Sequence, residues 1–275
     1  MLRKEGLRKV VPRKVVPHQV AFRGGGFAPR ALPLAGAASM IGLILLWQAA
    51  SWAGWLPKLF LPAPREIAVA LYRLARSGEL WRHLGASLAR LAIGWSLGTV
   101  AGLALGFAVG LFTLARSPGL AVVSALFPIP KIALVPLFII WFGIGEGSKI
   151  ATLAFGVFFP TVLNTAGAVD GVPRGLIRMG QSFSLSWGSI IRKIVLPGAL
   201  AGILNGFRVT SSIAIILLVA AEMIGAERGI GAFVLSAGNL YDVDDLLAGI
   251  VVLSVLGLMV AWAIGRIERA LLAWR

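Results

Sequence analysis

Six apolar runs divide this chain, at 34–52, 88–111, 119–141, 149–169, 203–223 and 246–265. A helix rises 1.5 Å per residue, so about 20 residues cross the ~30 Å hydrocarbon core of a bilayer. Lipid offers no partner to backbone N–H and C=O groups, so each run must be helical. The expectation is an all-α membrane protein of about six transmembrane helices, with a membrane domain over 34–275 preceded by an arm over 1–33. Composition agrees: 58% of the residues are hydrophobic and 13% charged, with a mean hydropathy of +0.89, against about 25% charged in an ordinary soluble domain.

The net charge of +15 invites a nucleic-acid reading, but its distribution argues otherwise. Eight basic residues (Arg3, Lys4, Arg8, Lys9, Arg13, Lys14, Arg23 and Arg30) precede the first apolar run. Such an arm beside a membrane segment suits cytoplasmic retention and contact with anionic membrane lipid, and no nucleic-acid partner is expected. Its length, and the lack of a small-residue cleavage site after 34–52, argue against a secretory signal, and its Pro and Gly content suggests disorder. With the N-terminus inside, the arm shares its side with Arg116, Arg174, Arg178, Arg192, Lys193, Arg266, Arg269 and Arg275. The other side receives only Lys58, Arg65, Arg73, Arg76, Arg82, Lys149 and Arg228. The excess of basic residues places both termini in the cytoplasm.

That orientation makes 175–197 (GLIRMGQSFSLSWGSIIRKIVLP) cytoplasmic. This polar interruption reads as two short amphipathic pieces around Ser184-Leu185-Ser186, closed by Leu196-Pro197, within a loop at about 170–198. A docking element that passes force to a soluble partner fits it. On the outer side, Leu61-Pro62-Ala63-Pro64 reads as an extended entry to a short amphipathic helix over 65–76 at the membrane surface.

Within the spans, Pro128, Pro130 and Pro136 free backbone carbonyls and bend or break the third run. Such backbone is tolerated only against protein or a water-filled cavity, so Pro130 and Pro136 are candidate pathway-lining residues; the alternative is a packing kink. Lys131, inside the same span, must snorkel, pair or face water. Asn205, Arg208 and Ser212 share one face of the fifth helix and are candidates for the same lining, although Arg208 alone could snorkel to headgroups. Glu222, Gly229 and Gly231 suggest an outer gate or a contact for a delivering protein, against a plain interfacial acid before a glycine-rich turn. Gly94, Gly98, Gly102, Gly106 and Gly110 recur every four residues and form a small-residue ridge for close helix packing.

Catalytic chemistry finds no foothold. There is no GxxxxGK[ST] phosphate loop, no HExxH, and no EF-hand or Cys/His cluster, so no metal and no cofactor bound by this chain are expected. The chain has no Cys and only two His, His18 and His83, both at positions that read as surface. An ion-coupled transporter would need carboxylate relays, and the spans offer little beyond Glu222. A membrane enzyme or scaffold would group catalytic side chains at one depth, and none group.

Four segments resemble one known family, the permease subunits of bacterial ABC importers in the branch for sulfonates, taurine, nitrate and thiamine precursors. They are Leu61-Pro62 with its amphipathic sequel, Pro130–Lys149, the loop 175–197 and Ala221–Gly231; Asp244, Ile267-Glu268-Arg269 and Trp274 also fit. The resemblance implies the type I ABC importer permease fold and a non-catalytic subunit. It implies two copies of an ATP-binding partner that hold the ATP and Mg, a periplasmic or lipid-anchored binding protein, and a second permease copy. A homodimer is favoured over a heterodimer. It also implies that the cytoplasmic loop forms coupling helices seated in the ATPase. The family's loop carries Glu-Ala-Ala, a Gly four positions on, and Ile-x-Leu-Pro. Here Ile194, Leu196 and Pro197 keep the ending, Arg178-Met179-Gly180 replaces the triplet, and Ser184 replaces the Gly. A base for an acid reverses the local charge, so the partner groove must answer it, or a second, more orthodox permease must supply the missing acid. Lys131 and Arg208 suit a small anion such as a sulfonate or nitrate. A neutral heterocycle such as a thiamine pyrimidine precursor is the alternative.

Overall fold

The computed structural model describes residues 33–273, in two units, one ending at residue 50 and the other beginning at residue 51. Most of the arm expected at 1–33, together with Trp274 and Arg275, lies outside the described residues. The first helix, α1 (Pro33–Trp52), is apolar along its whole length and long enough to cross a bilayer.

The second unit begins with α2 (Pro64–Ser77), the amphipathic helix anticipated at 65–76; Ile67, Ala70 and Leu74 turn inward. The Glu66 carboxylate accepts the Ala63 N–H at 2.9 Å and pairs with Lys58 at 2.5 Å, closing the helix start. Gly78, in the left-handed region at φ +81°, ends α2 and lets the chain reverse into α3 (Glu79–Leu111). Then come α4 (Thr113–Leu126), a 3₁₀ turn at Lys131–Leu134, α5 (Val135–Phe142) and α6 (Glu146–Asp170). Two short helices, α7 (Arg174–Ser182) and α8 (Trp187–Ile190), lead through a π-helical turn at Ile191–Val195 into α9 (Leu196–Met223). The chain finishes with α10 (Ile230–Asn239) and α11 (Val243–Leu271).

Five of these helices are long and apolar enough to span a membrane, and the α4–α5 pair makes a sixth crossing or a re-entrant loop. The third run is therefore not one kinked helix: α4 and the Lys131–Phe142 segment meet at 86°. Proline supplies no N–H and disfavours helix at the residue before it, so Pro128 and Pro130 stop α4 and the chain restarts at the 3₁₀ turn. Helices α3, α6, α9 and α11 extend beyond the apolar runs at both or one of their ends, because hydropathy marks only the lipid-compatible part of a helix. The ten-residue α10, too short to register as a span, was not anticipated.

The glycine ridge fixes the central joint, between α3 and α6. A Cβ at Gly94, Gly98, Gly102, Gly106 or Gly110 would lie 2.6, 2.3, 2.6, 2.6 or 2.9 Å from an atom of α6, in register with Leu153, Ala154, Thr161, Thr165 and Val169. Lipid tails are as apolar as leucine, so close backbone approach and dispersion hold helices together here. A core of Leu91, Leu153, Val157, Ala214, Leu218 and Leu256 ties α3, α6, α9 and α11.

Candidate functional site

At one end of the bundle, α6 leaves Asp170 and α9 starts at Leu196, with α7 and α8 between them. The two amphipathic pieces read from the sequence are these helices. Their inner faces sit on a core of Val169, Val172, Ile190, Val195, Ala199 and Ile203. Burying an Ile or Val side chain fully contributes about 1.5–3 kcal/mol, enough in sum to seat the loop as a body. Gly180 is buried, and a Cβ there would lie 2.8 Å from Ile194 Cδ1, so the third position of the triplet must be small. Ile194 and Pro197 are half-buried, and Leu196 is exposed. The outer face carries exposed apolar side chains: Leu176, Met179, Phe183 and Trp187. Arg174, Arg178, Arg192 and Lys193 are exposed around them. Ser186 caps α8, its Oγ accepting the Ser189 N–H at 3.4 Å. Ser184 adopts φ +54°. The turn between α7 and α8 thus does require the left-handed region, where a non-glycine residue is strained by about 1–2 kcal/mol. Nearby, Arg116 donates bidentately to Asp170 at 2.9 and 2.7 Å, joining α4 to the end of α6.

Midway, the residues offered as a lining divide. Asn205, Arg208 and Ser212 do share one exposed face of α9. Arg208 is not free: Nη2 donates to Glu268 Oε2 at 2.7 Å, linking α9 to α11, and Ser212 donates to the Arg208 carbonyl at 3.2 Å. Pro130 and Pro136 are exposed at the break. Lys131 bends back so that Nζ donates to the Phe127 carbonyl, at the end of α4. The ammonium also lies over the Phe127 and Phe159 rings, 5.1 and 5.4 Å from their centroids. It is satisfied by local backbone and ring faces, and no carboxylate pairs with it among the described residues.

At the opposite end the structure assembles a constellation that sequence reasoning missed. Glu222, offered as an interfacial acid or outer contact, is completely buried. Its carboxylate accepts Arg90 Nη1 at 2.7 Å, the Ser87 hydroxyl at 2.8 Å and the Gly231 N–H at 2.9 Å. Arg90 is itself 4% exposed. The rest of its guanidinium donates bidentately to Glu146, Nε and Nη2 each at 2.6 Å, and Nη1 also reaches the Arg228 carbonyl at 2.6 Å. Ser87 Oγ accepts the Ile230 N–H at 2.9 Å. His83 is not a surface residue: its side chain is mostly buried, and Nδ1 lies 3.1 Å from the Gly229 nitrogen and 3.0 Å from its carbonyl oxygen, accepting the N–H in the Nε2-protonated tautomer and donating to the carbonyl in the other. Gly229 (φ +137°) and Gly231 are both required, since a Cβ would lie 2.4 Å from the Glu222 carboxyl carbon at the first and 2.7 Å from the Val219 carbonyl at the second. All three residues offered as an outer gate or contact are buried, packed in one joint between α9, α10 and α3. His83, Ser87 and Arg90 lie at i, i+4 and i+7 on one face of α3; that polar stripe inside the helix was the available signal.

Buried charges in lipid must be paired, and two carboxylates about one guanidinium meet that demand while fixing α3, α6 and α9 at one point. Beside it, a cleft of about 490 Å³ is lined by Arg90, Glu146, Lys149, Glu227 and Arg228 among others; Lys149 Nζ donates to the Gly145 carbonyl at 2.9 Å. Among the described residues no three His, Cys, Asp or Glu side chains are grouped as metal ligands.

The chain is similar to known proteins. The family described as binding-protein-dependent transport system inner membrane component matches residues 88–272. The "Putative aliphatic sulfonates transport permease protein SsuC" of Bacillus subtilis is 35% identical over 236 residues, covering 85% of this chain and 84% of its own. The taurine transport system permease protein TauC of Escherichia coli is 33% identical over 237 residues, covering 84% and 86% respectively. Among solved structures, an inward-facing conformation of the MetNI methionine ABC transporter aligns with a TM-score of 0.60 at 26% identity, covering 70% of this chain and 95% of the matched one.

Proposed function

Since the chain belongs to the family of binding-protein-dependent transport system inner membrane components, we propose that it passes small organic sulfonates inward, two copies of it forming one pathway. The chain is a multi-pass inner-membrane permease subunit of an ABC importer, and such a system includes an ATP-binding subunit and a solute-binding protein. The observation that carries the mechanism is the loop between α6 and α9. Its inner face is seated on the bundle, while Leu176, Met179, Phe183 and Trp187 are left exposed beside four cations. A groove with an apolar floor and acidic rims on the ATP-binding subunit complements that face, and Arg178 meets one of those acids. ATP and Mg bind on that partner, two copies of which close on nucleotide. Their closure displaces α7 and α8 and, through α6 and α9, switches the pathway between inward and outward opening. The binding protein releases its solute over residues 224–245.

The sulfonate assignment is supported by the names of the relatives and by Lys131, a cation at the helix break whose contacts are a carbonyl and two ring faces. Arg208, Asn205 and Ser212 share the exposed face of α9 and line the same path, Arg208 with its charge balanced by Glu268. The test is uptake of labelled taurine and a short alkanesulfonate into proteoliposomes holding the assembled complex and its binding protein. ATP-dependent uptake of either supports the assignment. Uptake of a neutral pyrimidine with neither sulfonate transported overturns it.

A further inference from the structure

Arg90 lies far from the coupling loop, yet both rods that leave that loop end on it. At about 1.5 Å per residue, α6 is roughly 37 Å long and α9 roughly 42 Å. The first turn of α6 presents Glu146 and the last turn of α9 presents Glu222, and one guanidinium on α3 bonds to both. The same Nη1 holds the Arg228 carbonyl, and Ser87 and His83 on the same face of α3 hold the Ile230 and Gly229 amides. The side-chain hydrogen bonds that fix the α9–α10 corner to α3 therefore come from three residues, of which only Arg90 also reaches α6. Below it the glycine ridge locks α3 to α6 and the shared core ties α9 to both, so Arg90 is the charged link that extends this packing to the corner.

We propose that Arg90 is a positioning residue for transport: through Glu222 and the Arg228 carbonyl it makes the α9–α10 corner move as one body with α3 and α6. Displacement of the coupling helices then reaches the face where the binding protein releases its solute. Without Arg90 the hydrogen bonds left between the corner and α3 are those of Ser87 and His83, the loop still engages the ATPase, and the stroke dissipates before the outer face. This rests on the permease reading above. The guanidinium fork matters as much as its charge, because one planar group must serve three acceptors in fixed directions; a lysine ammonium cannot supply the same bidentate geometry to Glu146.

The chain contains no cysteine, so spin labels can be placed in the full complex at Arg82→Cys on α3 and Glu227→Cys on the corner, both exposed in this structure. Expected with Arg90 present is one narrow distance, unchanged between nucleotide-free and ATP-trapped complexes. Arg90→Gln and Arg90→Lys should broaden it, lower uptake and binding-protein-stimulated ATP hydrolysis tenfold or more, and leave basal hydrolysis within twofold. Should Arg90→Gln fail to assemble, Arg90→Lys carries the test, since its ammonium keeps the charge beside Glu222 and Glu146 but cannot serve the three acceptors together. A narrow distance with normal stimulation in the variants overturns the proposal, as does an equal fall of basal and stimulated hydrolysis in a fully assembled complex. If the parent complex shows no stimulation by a binding protein, the permease reading fails instead, while the distance measurement still tests the joint.

Discussion

Replacing Gly98 by alanine should loosen the molecule by an amount the structure sets. A Cβ on Gly98 would lie 2.3 Å from the Ala154 carbonyl oxygen and 3.0 Å from the Ala154 carbonyl carbon and Cα. Ordinary nonbonded contact between heavy atoms is about 3.5 Å, and all three neighbours are backbone, so no rotamer can yield. Helices α3 and α6 must part locally by about an ångström, which also strains the contacts at Gly94 and Gly102 on either side. Overpacking of this kind costs about 1–3 kcal/mol, less the ~1 kcal/mol that alanine gains over glycine as a helix former. Gly85 lies on the same helix with nothing within 4 Å of its Cβ position and provides the control: Gly85→Ala should be neutral or stabilising by up to about 1 kcal/mol. Thermal unfolding of the two variants in detergent, where about 2–4 °C corresponds to 1 kcal/mol for a chain of this size, should separate them in opposite directions. Equal melting temperatures for Gly98→Ala and Gly85→Ala would refute the ridge as the central joint.

Three further outcomes are expected. Ser184→Gly should relieve the φ +54° strain at the α7–α8 turn and raise stability by up to about 1 kcal/mol; a fall in melting temperature would show that the Ser184 side chain does something else. Arg208→Ala should lower uptake while costing less than about 1 kcal/mol, because its bond to Glu268 is partly exposed; unchanged uptake removes Arg208 from the pathway. Finally, the Glu66 carboxyl is held below the usual carboxylate range, first by the hydrogen bond from Lys58 and then by the Ala63 amide. A depressed folded value means that its contribution is present above the unfolded value of about 4.3 and is lost as pH falls through the folded one. Glu66→Gln should therefore lower stability at pH 7 and leave it unchanged at pH 2; a loss of the same size at both would contradict the assignment.

What the chain wrote openly was what repeats or runs. The apolar runs announced the helices because lipid tolerates nothing else, and the four-residue spacing of Gly94 to Gly110 announced a close joint because only small residues permit one. The three prolines announced a break, though not its 86° angle, which depends on how α5 and α6 receive the restarted chain. The outer joint was hidden for a different reason. Ser87 and Arg90 lie 135 and 132 residues from Glu222, and Arg90 lies 56 from Glu146, so no local pattern relates them. Each alone reads as an interfacial polar residue, and only the tertiary fold turns them into a pair that lipid would otherwise forbid. Helix α10 was hidden because it is short and starts at Gly229 without a side-chain cap.

The central claim is that the loop between α6 and α9 joins this membrane subunit to an ATP-driven partner. Native mass spectrometry of the complex purified in mild detergent tests it most directly, comparing the parent chain with a Phe183→Asp, Trp187→Asp double variant of the exposed apolar face. The account predicts two copies of the chain with two ATP-binding subunits for the parent, and a dimer of the chain stripped of those subunits for the variant. ATP-binding subunits retained by the variant at the parent's ratio, or absent from the parent, would contradict it.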